Sequence, residues 1–94
     1  MMAGRALMDR RQDRNRWVKP MDCRDLRIFE AVARLGGMGR AAAELNTVQS
    51  NVTSRIRRLE SELKVALFRR HARGVEPTEA GRRLTPYAIE IARL

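Results

Sequence analysis

The sequence has few aromatic residues, one cysteine, one histidine and no long apolar run. Its 94 residues include two Phe, one Trp and one Tyr, so a folded core must be built mainly from aliphatic side chains. Cys23 cannot form an internal disulfide, and together with His71 it cannot supply a four-ligand Cys/His zinc set. No run approaches the roughly 20 apolar residues of a transmembrane helix, and the N-terminus lacks the apolar segment of a secretory signal. These absences indicate one small cytoplasmic domain without metal or cofactor.

Cys23 and His71 are also poor candidates for catalysis. A nucleophilic Cys–His pair needs a third group that orients the base and a site for the oxyanion, and the sequence suggests neither. We expect Cys23 to be a small residue in the first turn of a helix and His71 to lie in a surface hairpin. No enzymatic activity is therefore predicted.

Negative charge is scarce relative to positive charge. The chain has 20 Lys and Arg against 11 Asp and Glu, a net charge of +9, and 18 of the 20 cations are Arg. The guanidinium group presents a planar fork of donors that fits phosphate oxygens and guanine edges. An Arg-rich surface indicates an anionic partner, which is more often nucleic acid than a membrane surface.

Residues 1–20 differ from the rest of the chain. They contain six cations and two anions and show no sustained apolar stripe. We interpret them as a disordered basic extension or as sequence upstream of the folded domain, with an arm that lies on DNA as the alternative.

Three helices are predicted from the spacing of apolar residues after Asp22. The first ends at the glycine pair 36–37, because glycine readily adopts a left-handed cap conformation. The second runs from Arg40 to Leu45, and the third runs from about Val48 to Lys64 with Thr47 as its N-cap. The third helix has an apolar stripe at spacings of four, three and four, formed by Val52, Ile56, Leu59 and Leu63. Two helices joined by a tight turn form a helix-turn-helix pattern.

A hairpin and a last helix complete the predicted elements. A short two-stranded wing with strands of two or three residues is expected at Arg69–Glu76, with Gly74 at its tip. Thr78 is the expected N-cap of a last helix, which Pro86 should bend or locally weaken. The apolar residues of this helix repeat as in a coiled-coil seam, and we expect a dimer interface at Leu84, Tyr87, Ile91 and Leu94. Because the apolar repeat continues up to Leu94, the helix is expected to continue in a longer parent protein.

Polar residues at the start of the third helix are candidates for base contacts. Once its apolar stripe faces inward, the side chains left for solvent or a ligand are Gln49, Ser50, Asn51, Thr53, Ser54 and Arg55. In a helix-turn-helix the later of the two helices, here the third helix of the chain, enters the major groove with its N-terminal end. There Gln and Asn pair with adenine, Arg pairs with guanine, and hydroxyls pair with either base. An ordinary solvated helix face would have the same composition.

The cations around the third helix favour the nucleic-acid interpretation. Between Asn51 and Arg73 there are seven cations and two glutamates, a local charge of +5. Phosphate contacts dominate affinity for DNA and require such a spread of cations around the reading helix. Arg73 beside the hairpin tip is placed to enter a minor groove, although an exposed turn arginine is the simpler alternative.

From Met21 to Leu94 the chain resembles the N-terminal domain of LysR-type bacterial transcriptional regulators. The segments that carry the resemblance are DLRIFEAVARLGG, RAAAELNTVQSNVTSRIRRLESELKVALFRR and PTEAGRRLTPYA. The resemblance implies an all-α fold with a small wing: a winged helix-turn-helix over residues 21–78, then the start of a linker and dimerisation helix over residues 79–94.

The resemblance also implies partners. It predicts sequence-specific binding of double-stranded DNA by a homodimer on inverted half-sites, compatible with a tetramer in the full-length protein. An effector-binding domain, absent from this chain, would take a small molecule. Neither a membrane partner nor a cofactor of this domain is implied.

Individual residues acquire roles through the same resemblance. The base-facing positions match Gln49, Ser50, Thr53 and Ser54, and the backbone or minor-groove positions match Arg40, Arg70, Arg73 and Thr78. On the basis of charge we add Arg57, Arg58 and Arg69 to the expected backbone contacts.

Three residues depart from the family pattern. Gly39 replaces the usual Ser or Thr cap of the second helix, Val48 stands where a Ser commonly caps the third, and Ser54 replaces a frequent base-contacting Arg. Arg55 follows one residue later, about 100° around the helix. Its two open roles are base reading and phosphate binding.

Two other classes of protein are compatible with the composition. One is a small RNA-binding or nucleoid-type protein with little sequence preference, which would bind specific and random duplexes with equal affinity. The other is a dimerisation module whose active surface is the last helix, which would show no salt-dependent affinity for DNA.

Overall fold

A computed structural model describes residues 23–94, which form four helices and one β-hairpin. The helices are α1 (Cys23–Leu35), α2 (Met38–Glu44), α3 (Gln49–Leu63) and α4 (Glu79–Arg93), and the strands between α3 and α4 are β1 (Phe68–His71) and β2 (Gly74–Pro77). The predicted basic extension, residues 1–20, lies outside the described residues. No helix within residues 23–94 has both the length and the apolar character needed to cross a membrane.

The core lies where α1 and α3 meet the wing. Its largest fully buried apolar side chains come from α1, α3 and the segment before β1: Phe29, Val32, Val52, Ile56, Leu59 and Leu67. The core is aliphatic as predicted, except for Phe29, whose ring centroid lies 5.1 Å from that of Phe68 at the start of the wing. This aromatic pair therefore joins α1 to the hairpin.

Helix α1 ends at the glycine pair, as predicted. Gly36 has φ of +74°, and its N–H donates to the Val32 carbonyl at 2.8 Å. The left-handed conformation of Gly36 stops the helix and turns the chain towards α2.

Helix α2 begins two residues earlier than predicted, at Met38. Its N-cap is Gly37 in an extended conformation without a side-chain cap, so Gly39 lies inside the helix and not at its cap. The predicted break after the helix is confirmed at Asn46, which has φ of +59°. The buried small residues Ala41 and Ala42 let α2 pack closely against α3.

The prediction that Thr47 caps α3 is wrong. Val48 is the N-cap residue and gives no side-chain cap, while the Thr47 hydroxyl oxygen accepts a hydrogen bond from the Asn51 amide nitrogen at 3.1 Å. The helix ends at Leu63, and Lys64 adopts a left-handed conformation with φ of +57°. The predicted apolar stripe is confirmed, since Val52, Ile56 and Leu59 are buried and Leu63 packs against them.

The wing is an antiparallel pair of four-residue strands, longer than the two or three residues expected. His71 pairs with Gly74, which leaves Ala72 and Arg73 as the turn. Arg73 is therefore at the tip as predicted, whereas Gly74 is the first residue of β2.

Gly74 is required by the way the wing docks on the loop between α1 and α2. The Val75 N–H donates to the Gly36 carbonyl oxygen at 3.0 Å. A Cβ added to Gly74 would lie 2.1 Å from that same oxygen, and φ of +147° is strained for any L residue with a side chain. Glycine at this position thus permits the contact that fixes the wing.

Helix α4 packs against α1 and begins as predicted. Thr78 is the N-cap, its hydroxyl oxygen accepting from the Gly81 N–H at 3.2 Å and its O–H donating to the Ala66 carbonyl at 2.6 Å. The helix continues through Pro86 to Arg93. Its residue Ala88 is fully buried.

Candidate nucleic-acid interface

An open groove of about 600 Å³ lies between α3 and the wing. Its lining residues, which we call the wing-side groove, are Gln49, Ser50, Thr53, Ser54, Arg57 and Arg70. Four of the six predicted base-reading residues thus share one concave surface with two predicted backbone contacts. All but Arg70 come from α3, and Arg70 comes from β1.

The orientation of α3 follows from its core stripe. Because Val52, Ile56 and Leu59 are buried at spacings of four and three, the remaining positions of a helix with 3.6 residues per turn face outward. The predicted assignment of Thr53 and Arg57 to an outward face therefore agrees with their position in the groove.

Gln49 reaches back over α2. A Cβ added to Gly39 would lie 3.2 Å from Oε1 of Gln49, closer than most such contacts. The missing side chain at Gly39 leaves room for this amide, which can both donate and accept hydrogen bonds as the recognition of adenine requires.

Three exposed arginines around the groove are not engaged by acidic side chains of the described domain. Within residues 23–94, Arg57, Arg70 and Arg73 make no ion pair within 4.0 Å. Such a guanidinium can therefore bind a phosphate without first giving up an ion pair inside this part of the chain. These three side chains are the best placed of the predicted backbone contacts.

Other predicted backbone contacts already have partners within the domain. Nη1 of Arg40 donates to the Leu35 carbonyl at 3.2 Å, and Nη2 of Arg69 lies 3.6 Å from Oε2 of Glu76 on the neighbouring strand. Thr78 uses its hydroxyl to cap α4. Contacts of Arg40, Arg69 and Thr78 with DNA stay predictions.

Arg55 and Arg58 are held by a carboxylate of α1. Asp25 is fully buried, Nη1 of Arg55 lies 2.9 Å from its Oδ1, and Nη2 of Arg58 lies 2.9 Å from its Oδ2. Without these guanidinium partners, the buried carboxylate would carry a large desolvation cost. The cluster therefore fixes α1 against the side of α3 away from the wing.

The sequence prediction missed this role of Asp25. A carboxylate in the first turn of a helix interacts favourably with the helix dipole whether or not it is buried, so its position does not by itself predict an ion pair with α3. The available signal is its position, three and four residues before the buried Ile28 and Phe29, on the apolar face of α1.

Asn51 and Arg55 lie apart from the wing-side groove. With residues of α1 and of the turn before α3 they line a second concave surface of about 370 Å³. Its lining, which we call the α1–α3 concavity, is Arg24, Arg27, Ile28, Leu45, Thr47, Asn51 and Arg55. The six predicted base-reading residues are therefore divided between two surfaces.

A second ion-pair cluster joins α1 to α2. Nε of Arg34 lies 2.9 Å from Oε2 of Glu30, and both terminal nitrogens of Arg34 bind the Glu44 carboxylate. Hydrogen bonding to Arg34 lowers the pKa of Glu44 below its ordinary value, and the same carboxylates raise the pKa of Arg34. Glu44 therefore stays ionised at neutral pH and ties α2 to α1.

The predicted dimer seam has two parts in the structure. Leu84 and Ile91 are partly buried against the core, whereas the side chains of Tyr87 and Leu94 are 69% and 86% exposed. The free apolar surface of the seam is thus limited to Tyr87 and Leu94, and its role in association stays a prediction.

Cys23 and His71 lie where they were expected, in the first turn of α1 and in the wing. Cys23 is a free, exposed thiol, and Nδ1 of His71 accepts from the Arg73 N–H in the wing turn at 3.1 Å. In the part of the chain that the structure describes, no three His, Cys, Asp or Glu side chains are grouped as a metal site would require.

Comparison with known sequences identifies a regulatory domain. The family model described as "Bacterial regulatory helix-turn-helix protein, lysR family" matches residues 23–82. The HTH-type transcriptional regulator CzcR of Bacillus anthracis is 54% identical over 71 residues, which cover 76% of this chain and 25% of CzcR. The HTH-type transcriptional regulator YofA of Bacillus subtilis (strain 168) is 49% identical over 74 residues, 79% of this chain and 26% of YofA. The chain therefore spans about a quarter of the length of these relatives.

Solved structures share the fold and are close in sequence. The CbnR_DBD–DNA complex superposes with a TM-score of 0.73 at 38% identity, covering 78% of this chain and 84% of that one. The BenM_DBD/benA site 1 DNA complex gives a TM-score of 0.71 at 35% identity, with coverage of 76% and 80%. Both matched structures are described as complexes with DNA.

Proposed function

Because this chain belongs to the lysR family of bacterial regulatory helix-turn-helix proteins, we propose that it binds double-stranded DNA with sequence preference. In this proposal α3 enters the major groove, with Gln49, Ser50, Thr53 and Ser54 towards the base edges. The wing lies on the adjacent backbone, and Arg73 at its tip is directed to the minor groove. The role is that of a binding domain and not of an enzyme.

The wing-side groove is the observation that carries this proposal. It combines amide and hydroxyl groups, which can distinguish bases, with Arg57 and Arg70, which can bind phosphate. An RNA-binding or nucleoid-type surface would need the cations but not the polar group array at the start of α3. The similar domains of CbnR and BenM are described as complexes with DNA, which supports DNA binding by this chain.

We further propose that two copies associate through α4, with Tyr87 and Leu94 at the contact. A two-fold pair presents two α3 helices to inverted half-sites one or more helical turns apart. In the whole protein, DNA binding by this domain would regulate transcription in the cytoplasm. The response to a small molecule would depend on the effector-binding domain predicted beyond this chain.

Selection followed by competition tests the DNA-binding proposal. Genomic fragments bound by the purified chain at a stated salt concentration are sequenced and footprinted, and the affinity for the recovered site is compared with that for random duplex. We expect an inverted repeat to be protected and to bind about 10³-fold or more tightly than random DNA. Equal affinity for both duplexes would contradict sequence-specific binding and favour a nucleoid-type protein.

A further inference from the structure

We propose that the α1–α3 concavity binds a phosphate of the DNA backbone, on the side of α3 opposite the wing. The ligand is a phosphodiester of the same duplex whose bases face the wing-side groove, so the inference rests on the proposed function. It assigns Arg24, Arg27 and Arg55 to phosphate binding, and Asn51 to shaping the site.

The charge of the concavity is suited to an anion. Arg24 and Arg27 are exposed on the first two turns of α1 and, within residues 23–94, make no ion pair within 4.0 Å. Arg55 adds a third guanidinium from α3. The one carboxylate in contact with the cluster within the described residues, Asp25, is fully buried and already accepts from Arg55 and Arg58. Phosphate would therefore meet positive charge from two helices.

Two side chains of the site, Arg55 and Asn51, are held in place before any ligand binds. Asp25 fixes the guanidinium of Arg55 through one of its five N–H groups, and the Arg55 side chain remains 24% exposed. Asn51 is fixed as well, because its Nδ2 donates to the Thr47 hydroxyl oxygen at 3.1 Å. Side chains that are already ordered lose less conformational entropy when they bind.

The position on α3 agrees with the geometry of a major groove. Asn51 and Arg55 are four residues apart on one face, and Thr53 and Arg57 are four residues apart on the face towards the wing. Ser54 follows Thr53 and precedes Arg55, about 100° around the helix from each. A helix in the major groove is flanked by the backbones of both strands, so one face meets the strand on the wing side and the other meets the opposite strand.

The open question about Arg55 is answered by this arrangement. Its side chain points into the concavity with Arg24 and Arg27, not into the groove with Gln49 and Thr53. Asn51, also predicted to read bases, belongs to the same surface. Sequence preference then rests on the four predicted residues of the wing-side groove.

Charge removal on α1 tests the inference. We compare the chain with its Arg24→Gln/Arg27→Gln variant in binding to the selected site and to random duplex across a series of salt concentrations. The matched control is Arg83→Gln/Arg93→Gln, which removes the same charge from exposed positions of α4. We expect weaker binding of both duplexes by the α1 variant and a log–log salt slope reduced by about 1, at roughly 0.9 per lost phosphate contact, with the control unchanged.

Each outcome is informative. A slope equal to that of the unmodified chain would overturn the inference while leaving the proposed function intact. Absence of salt-dependent DNA binding by the unmodified chain would instead overturn the proposed function itself. A separate Asn51→Ala variant should keep the base preference at every position of the site, and loss of preference at one position would reinstate Asn51 as a base reader. Thermal unfolding of each variant establishes that it is folded.

Discussion

Gln49 and Arg70 line the same groove but offer different kinds of contact. The Gln49 amide presents a donor and an acceptor next to Gly39, a pairing that can match one base edge. The Arg70 guanidinium projects from β1 and has no ion pair within the described residues. A charge on the wing attracts any phosphate, whatever the base sequence.

Substitution of these two residues should therefore distinguish base preference, which depends on Gln49, from overall affinity for DNA, which depends on Arg70. We expect Gln49→Ala to cost about 1–3 kcal/mol of discrimination at one base position. Arg70→Ala should weaken binding about equally on all sequences and reduce the log–log salt slope by about 1. Binding to a set of single-base variants of the selected site measures both effects. The opposite assignment of effects would mean that α3 docks in a different orientation.

Asp25 is the residue on which the contact of α1 with α3 depends electrostatically. Asp25→Asn keeps the size of the side chain but removes the charge that holds Arg55 and Arg58. We expect a loss of about 1.5–3 kcal/mol of stability, the range for hydrogen bonds to charged groups. The loss should stay within that range because the arginine side chains are 24% and 49% exposed and can be rehydrated.

Urea denaturation measures this effect through the transition midpoint. Glu79→Gln is a suitable control, because its contact with Arg83 is long, at 3.8 Å, and the two side chains are 83% and 81% exposed. An unchanged midpoint for Asp25→Asn would show that the buried ion pairs add no net stability.

At the scale of elements, α4 has some residues that stabilise the fold and others that are predicted to form the dimer contact. Leu84 is partly buried against the core, whereas Tyr87, three residues later, is exposed. We expect Tyr87→Glu to weaken dimerisation with little effect on the unfolding temperature, because the ring has few contacts to lose within the monomer. Leu84→Ala should lower the unfolding temperature through the loss of buried apolar area.

Sedimentation equilibrium together with thermal unfolding distinguishes the two variants. If Tyr87→Glu associates as strongly as the unmodified chain, the exposed seam is not the dimer contact. A purely monomeric unmodified chain at high concentration would have the same meaning for these residues.

The order and identity of the elements were predictable because they depend on local patterns. The stripe of α3, the glycine stop of α1 and the Thr78 cap each follow from neighbouring residues. The predicted caps of α2 and α3 failed because each helix begins at a different residue from the one expected. Gly37 precedes α2, so Gly39 is inside it, and Val48 precedes α3 while the Thr47 hydroxyl accepts from Asn51.

The residues of the candidate site were predictable from the sequence, but their division between two surfaces was not. All six polar residues at the start of α3 were identified from the stripe, yet two of them belong to the concavity shared with α1. For Arg55, the ion pair with buried Asp25 draws the side chain towards α1. Periodicity within α1 reveals that Asp25 is on the apolar face, but not which residues of α3 lie opposite.

At the scale of the whole molecule, the net charge of +9 has an uneven distribution. Residues 1–20 carry +4, and residues 23–94 carry 14 cations against eight anions. Several of the latter cations are engaged internally, by Asp25, by Glu30 and Glu44, or by Glu76. The charge available to a partner is thus concentrated on both sides of α3.

Salt titration of the whole chain tests this concentration of charge. Arg57, Arg70 and Arg73 alone predict a log–log slope of affinity against salt of about −3. We expect a variant without residues 1–20 to keep the same ratio of affinities for selected and random duplex, because its base-contacting groups are intact. Affinity that does not change with salt would contradict phosphate binding by these residues.

The backbone hydrogen bond between Val75 and Gly36 makes it possible to measure whether the wing is docked on the loop between α1 and α2. The Val75 amide proton is donated to the Gly36 carbonyl and not to β1. Its exchange with deuterated solvent therefore requires the wing to leave the loop between α1 and α2, even if the hairpin itself stays paired. Slow exchange at Val75, lost in a Gly74→Ala variant, would show that the distance between the wing and α3 is set before DNA arrives. The spacing between α3 and the wing, which must match the DNA surface, would then be fixed in the free protein.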